Sequence, residues 1–150
     1  MKHVFYYIIL CFPLFSFGQN NFLNSAQSLG IADCYTTQKG IWSTTTNIAG
    51  GANNKNISIG IGIKNNFGLR ELNNKTAIGL IPTKTGVFGL SVQQYGFSQY
   101  NENKFGLSFA KKLSETFNTG IKIDYYNTHI QNYENEGFVT FEIGIQKELG

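Results

Sequence analysis

Asn56-Ile57-Ser58-Ile59-Gly60-Ile61-Gly62-Ile63-Lys64 puts isoleucine at every second position, with Ser58, Gly60, Gly62 and Lys64 between. Side chains of a strand point alternately to opposite faces, so this segment has one all-isoleucine face and one small or polar face. A helix would scatter the isoleucines around its axis. The segment is therefore read as a strand with one face in an apolar medium.

Downstream the same alternation recurs. Thr76 to Pro82 is more uniformly apolar and has no clear facing. Val87 to Tyr95 sets Phe88, Leu90 and Val92 against Gly89, Ser91 and Gln93. Phe105 to Lys111 sets Phe105, Leu107 and Phe109 against Gly106, Ser108 and Ala110. Phe117 to Asn127 opposes Thr119, Ile121, Ile123 and Tyr125 to Gly120, Lys122, Asp124 and Tyr126; the last run opposes Val139, Phe141, Ile143 and Ile145 to Thr140, Glu142, Gly144 and Gln146. The expected fold is all-β, an antiparallel meander of about six strands over 56–150.

Such alternation fits a soluble sandwich or lipocalin-like barrel, with its apolar face inward, or a membrane barrel, with its apolar face toward lipid. A solvated second face would be rich in Lys, Glu and Asp. Here it is mainly Gly, Ser, Ala and Gln, with charges at Lys64, Lys122, Asp124 and Glu142. Arg70, Glu71, Lys84, Glu102, Lys104, Lys111, Lys112, Glu115, Glu134 and Glu136 are assigned to turns or their margins. Charged residues make up only 14% of the chain, against about 25% in soluble domains. The membrane reading is preferred: Ile57, Ile59, Ile61, Ile63, Phe88, Leu90, Val92, Phe105, Leu107, Phe109, Ile121, Ile123, Val139, Phe141, Ile143 and Ile145 face lipid. Lys64, Lys122, Asp124 and Glu142 face the lumen, paired with one another or with lead-in groups, because an isolated buried charge is costly.

Loop lengths suggest an orientation. Thr83 to Gly86 and Leu113 to Thr116 are short; Asn65 to Lys75, Gly96 to Asn103 and Thr128 to Glu136 are long and polar. Outer-membrane barrels keep short turns on the periplasmic side and long loops outside. Six strands fall below the roughly eight that close a bacterial barrel. Truncation of a longer chain is the preferred explanation, ahead of extra strands from the lead-in or assembly from several chains.

Residues 1–18 have a Lys2-His3 start, an apolar stretch from Val4 to Phe17 and a Ser16-Phe17-Gly18 end, the pattern of a cleaved secretory signal peptide. An apolar run broken by Pro13 is short for a transmembrane helix, which needs roughly 20 residues. Cys11 falls inside it, leaving Cys34 alone with no intrachain partner and no metal-ligand spacing. Residues 19–55 read as an irregular lead-in, periplasmic or packed in the barrel mouth, with a short helical turn at Ala26 to Ala32 and Tyr35 and Trp42 as packing aromatics. The weak net charge of +3 gives no support to a nucleic-acid partner.

Catalytic motifs are poor. Ser108-Phe109-Ala110-Lys111 matches an S-x-x-K string that works at a helix start, and here it falls on a strand. His129 is placed in a long loop away from inward-facing Asp124, which undercuts a barrel-lipase site. The sequons at Asn56 and Asn74 fall in strand and turn, and Gly60 and Gly62 have no following helix to form a dinucleotide site. No enzyme activity, cofactor or metal is expected.

Ala26-Gln27-Ser28-Leu29-Gly30-Ile31-Ala32, Ile41-Trp42-Ser43 and Asn47-Ile48-Ala49-Gly50 resemble the opening of the PorV/PorQ-like proteins of Bacteroidota. The likeness continues through Phe67 to Leu72, Ile81 to Phe88, Tyr95 to Tyr100, Lys112 to Glu115 and Asp124-Tyr125. Ile48 stands where that family usually has proline, and its members continue beyond the end of this chain. The resemblance implies an outer-membrane barrel related in fold to FadL-type channels and associated with type IX protein secretion. Its implied partners are outer-membrane lipid and secreted proteins or components of the secretion machinery. A passive channel for hydrophobic molecules and a surface phospholipase are the alternatives.

Overall fold

The computed structural model describes residues 25–32 and 34–148; the leader assigned to residues 1–18 lies outside them. A short helix α1 (Ala26–Gly30) and two 3-10 segments (Ile41–Thr45 and Ile48–Asn53) precede the strands β1 (Ser58–Asn65), β2 (Asn73–Pro82), β3 (Val87–Gly96), β4 (Tyr100–Ser114), β5 (Phe117–Ile130) and β6 (Glu136–Lys147). The six strands form one antiparallel sheet in sequence order. The all-β meander is thus present. It is not closed into a barrel, and β1 and β6 are its edges.

The strand ends differ from the sequence expectation. β4 begins at Tyr100 and β5 runs to Ile130, so two of the loops read as long shrink to residues 97–99 and 131–135. The segment 66–72 contains a 3-10 turn, Arg70–Leu72. Polar residues on both faces of Tyr100 to Lys104 and Tyr126 to Ile130 hide the period of two, although the backbone ladder continues through them. Gly96 makes the tight reversal between β3 and β4, with φ at +98° and the Phe97 N–H donating to the Tyr100 carbonyl at 2.8 Å. A side chain there would strike that carbonyl.

Register turns the alternation into continuous rows across the sheet. On one face Ile59, Gly79, Leu90, Leu107, Ile123 and Phe141 lie side by side, and next to them Ile61, Ala77, Val92, Phe105, Tyr125 and Val139. A third row joins Ile81, Phe88, Phe109, Ile121 and Ile143. Toward the 66–72, 97–99 and 131–135 end the belt stops on β2 to β5 at Lys75, Gln94, Asn103 and Asn127, a row whose β1 member is Ile63. Among the described residues nothing covers this face: Ile61 is 75% exposed and Ile143 78%.

The opposite face carries the core. α1 and the two 3-10 segments belong to a lead-in whose 3-10 parts touch all six strands between them. Ile78, Leu80, Val87 and Ala110 are buried beneath them with Ile48 and Ala49. β2, which had no clear facing in the sequence, buries Asn74, Thr76, Ile78 and Leu80 on this side.

Candidate functional site

The inner face has two differently built halves. Near the short turns, the lead-in packs closely on the sheet because glycine leaves room there for its side chains and backbone. A Cβ on Gly60 would sit 3.3 Å from the Trp42 ring, one on Gly120 2.7 Å from Ile48, and one on Gly144 3.0 Å from the Ala49 nitrogen. Ile48 opens its 3-10 segment behind Asn47, whose side-chain oxygen accepts from the Ala49 N–H at 3.2 Å. The Asn47 amide also donates to the Ile145 carbonyl of edge strand β6 at 3.0 Å and to the Thr36 carbonyl at 3.1 Å. One cap therefore shapes the segment and ties it to the sheet. Tyr35 is buried and donates to Gln27 at 3.0 Å, and burial pushes its phenol above its ordinary pKa.

Beyond the lead-in, long charged side chains fill the space. Lys122 meets Asp124 at 3.0 Å, and Lys104 meets Glu142 at 3.0 Å and Asp124 at 3.4 Å; Lys122 to Glu142 is 3.9 Å. Two cations and two carboxylates from β4, β5 and β6 thus compensate one another. Lys122 and Asp124 have wholly buried side chains, while Glu142 keeps about a third of its side chain exposed. Gly106 lies directly across from Asp124, and a Cβ there would come within 2.4 Å of both an Asp124 oxygen and the Ser91 hydroxyl. The quartet exists because that position has no side chain. Lys104 also sits 4.9 Å over the Tyr126 ring, which stacks on Phe138 at 4.9 Å. A cation on an aromatic face gains from the ring quadrupole.

The sequence placed Lys122, Asp124 and Glu142 on this face, and the structure brings them together. It leaves Lys64 out. That residue lies on edge strand β1 opposite Asn74, with β2 and β3 between it and β4, the nearest strand of the quartet, and among the described residues it forms no ion pair. Lys104 replaces it. The sequence reading left Lys104 to a turn margin, although its even-number spacing from Gly106 and Ser108 was the available signal. His129 lies on β5 and not in a loop, its ring nitrogen Nδ1 2.6 Å from Asn135. Asp124 and His129 occupy even and odd positions, on opposite faces of the strand. Ser108 donates to the Gly89 carbonyl at 3.3 Å, and Lys111 points to the other face. Among the described residues no group of three or more His, Cys, Asp or Glu is gathered for a metal.

No family model, curated protein or solved structure matches this chain. Its chemistry is therefore read from geometry. The quartet is neutral as a unit and joins three strands, so it acts as a crosslink that leaves no surplus charge for a ligand. A cleft of about 420 Å³ lies between the lead-in and β6, lined by Thr36, Thr46, Asn47, Ile48 and the stretch from Glu142 to Ile145. Its walls are mixed polar and apolar.

Proposed function

We propose that this protein is a non-enzymatic outer-membrane β-barrel protein, a PorV/PorQ-like component that docks secreted proteins or secretion machinery. The barrel part is carried by one observation: the sheet is inside out for water. Among the described residues three apolar rows lie uncovered, while Lys104, Lys122 and Asp124 are buried on the other face. Hydrocarbon makes that distribution favourable, because apolar side chains lose nothing there and strand pairing satisfies the backbone of β2 to β5, whereas the free edges of β1 and β6 would need further strands beside them to close the barrel. About ten residues separate Phe117 and Asn127 on β5, close to the length a tilted strand needs to cross a bilayer.

The secretion role rests on the resemblance. Its motif residues at Ile41-Trp42-Ser43 and Asn47 to Gly50 are those that lie against the inner face, where they anchor the lead-in. Docking is favoured over passive transport because the lead-in occupies that face and the adjoining cleft is not apolar. A phospholipase reading is disfavoured by the opposite facing of Asp124 and His129.

Two measurements test this. The protein should fractionate with outer membranes and be protected from protease along β1 to β6. Crosslinking in the native cell should then recover secretion components; a membrane-embedded protein that captures none of them would sink the docking role while leaving the barrel intact.

A further inference from the structure

The two ends of the sheet differ in charge. At the short-turn end Lys55, Lys84, Lys111 and Lys147 are exposed, and among the described residues none of them forms an ion pair. The acidic groups of that end are already engaged, Glu115 by Lys112 at 2.9 Å and Glu148 by Lys39. At the opposite end Glu71, Glu134 and Glu136 are exposed, as are Arg70 and Lys75.

The lysines are spaced along the rim: Lys55 just ahead of β1, Lys84 in the β2–β3 turn, Lys111 near the end of β4 and Lys147 at the end of β6. Lys111 lies opposite Thr119, which lies opposite Ile145, so its row directly adjoins the apolar rows. A lysine stem can lie along apolar surface while its ammonium reaches the polar layer. Spacing along an apolar margin suits many separate monovalent phosphates in one plane. A clustered patch would suit one multivalent anion instead.

We propose that these four lysines form a collar that binds the phosphodiester headgroups of anionic phospholipid in the leaflet at the short-turn end. The inference rests on the barrel reading, to which it adds a lipid preference and a second determinant of orientation. Each lysine near an anionic surface contributes about a fivefold gain in partitioning, weakened by salt.

The test uses the full chain, refolded into vesicles of phosphatidylcholine alone or with phosphatidylglycerol, with insertion read by protease protection. Phosphatidylglycerol should raise insertion at least tenfold at low salt. The K55Q/K84Q/K111Q/K147Q variant should lose that gain and insert normally into phosphatidylcholine, whereas E71Q/E134Q/E136Q should keep the gain. An equal gain for wild type and the lysine variant would overturn the collar while leaving the barrel standing. So would a response to lipid A phosphates in place of phosphatidylglycerol. Failure to enter any vesicle would remove the barrel reading itself, and the collar with it.

Discussion

Lys122 and Ile123 are neighbours in sequence and live under opposite rules. Lys122 is 2% exposed among carboxylates, and Ile123 is 48% exposed in an apolar row. On the inner face, packing is specific: each charge of the quartet has a named partner, and the lead-in approaches the sheet closely at Gly60, Gly120 and Gly144. The outer face asks only that the side chain be apolar. One backbone therefore carries a jigsaw and a coat, and substitutions should separate the two.

The largest effect is expected at the quartet. Asp124→Ala leaves Lys104 and Lys122 with only Glu142 between them, and breaking a buried pair from one side costs about 3–5 kcal/mol. Denaturant unfolding from vesicles would measure it. A K122M/D124L variant removes cation and anion together and should recover most of the loss; if it is as unstable as the single variant, charge balance is not what holds this face.

On the coat, Ile123→Arg puts a charge in the middle apolar row. It should cost about 2–4 kcal/mol in a bilayer. The same substitution in detergent-free urea should cost nothing, because there is no hydrocarbon to leave. A protein equally affected in both would break the contrast from the side of the exposed rows, since the outer face would then be packed against protein.

Glycines offer a milder comparison. A Cβ on Gly79, on the outer face, meets nothing within 4 Å, whereas one on Gly120 meets Ile48 at 2.7 Å. Gly120→Val should lose about 1–3 kcal/mol by overpacking and loosen the lead-in. Gly79→Val should be neutral or slightly stabilising, as a β-branched residue in a strand. Protease cleavage within 34–55 reads the lead-in directly.

The coat was the legible part of the sequence. Period-two alternation needs one face of each kind, and Ile57 to Ile63 or Phe105 to Phe109 supply it within a few residues. Legibility failed where strands leave the apolar belt: Asn101, Glu102, Asn103 and Lys104 are polar on both faces, so the strand read as a loop and Lys104 went with it. The lead-in failed for another reason. Its seat is defined by missing side chains at Gly60, Gly120 and Gly144, which come from three different strands, and a missing side chain carries no address. Asn47 shows the same limit, since its partner Ile145 is 98 residues away.

The smallest effect belongs to a pair outside both faces. Lys112 holds the Glu115 carboxyl below its ordinary pKa, by hydrogen bonding first and charge second, in the β4–β5 turn. A lowered folded-state pKa gives stability that is present above the unfolded value and is lost as pH falls through the folded one. Glu115 is fully solvent-exposed, and pairs in water are screened and entropically costly, so Glu115→Gln should leave the unfolding midpoint unchanged at neutral pH. The variant should also flatten any shallow acid-side slope that this turn contributes. A clear destabilisation that vanishes at high salt would mean that the turn shares in the inner-face network, and the separation drawn between jigsaw and coat would then have to extend to the rim.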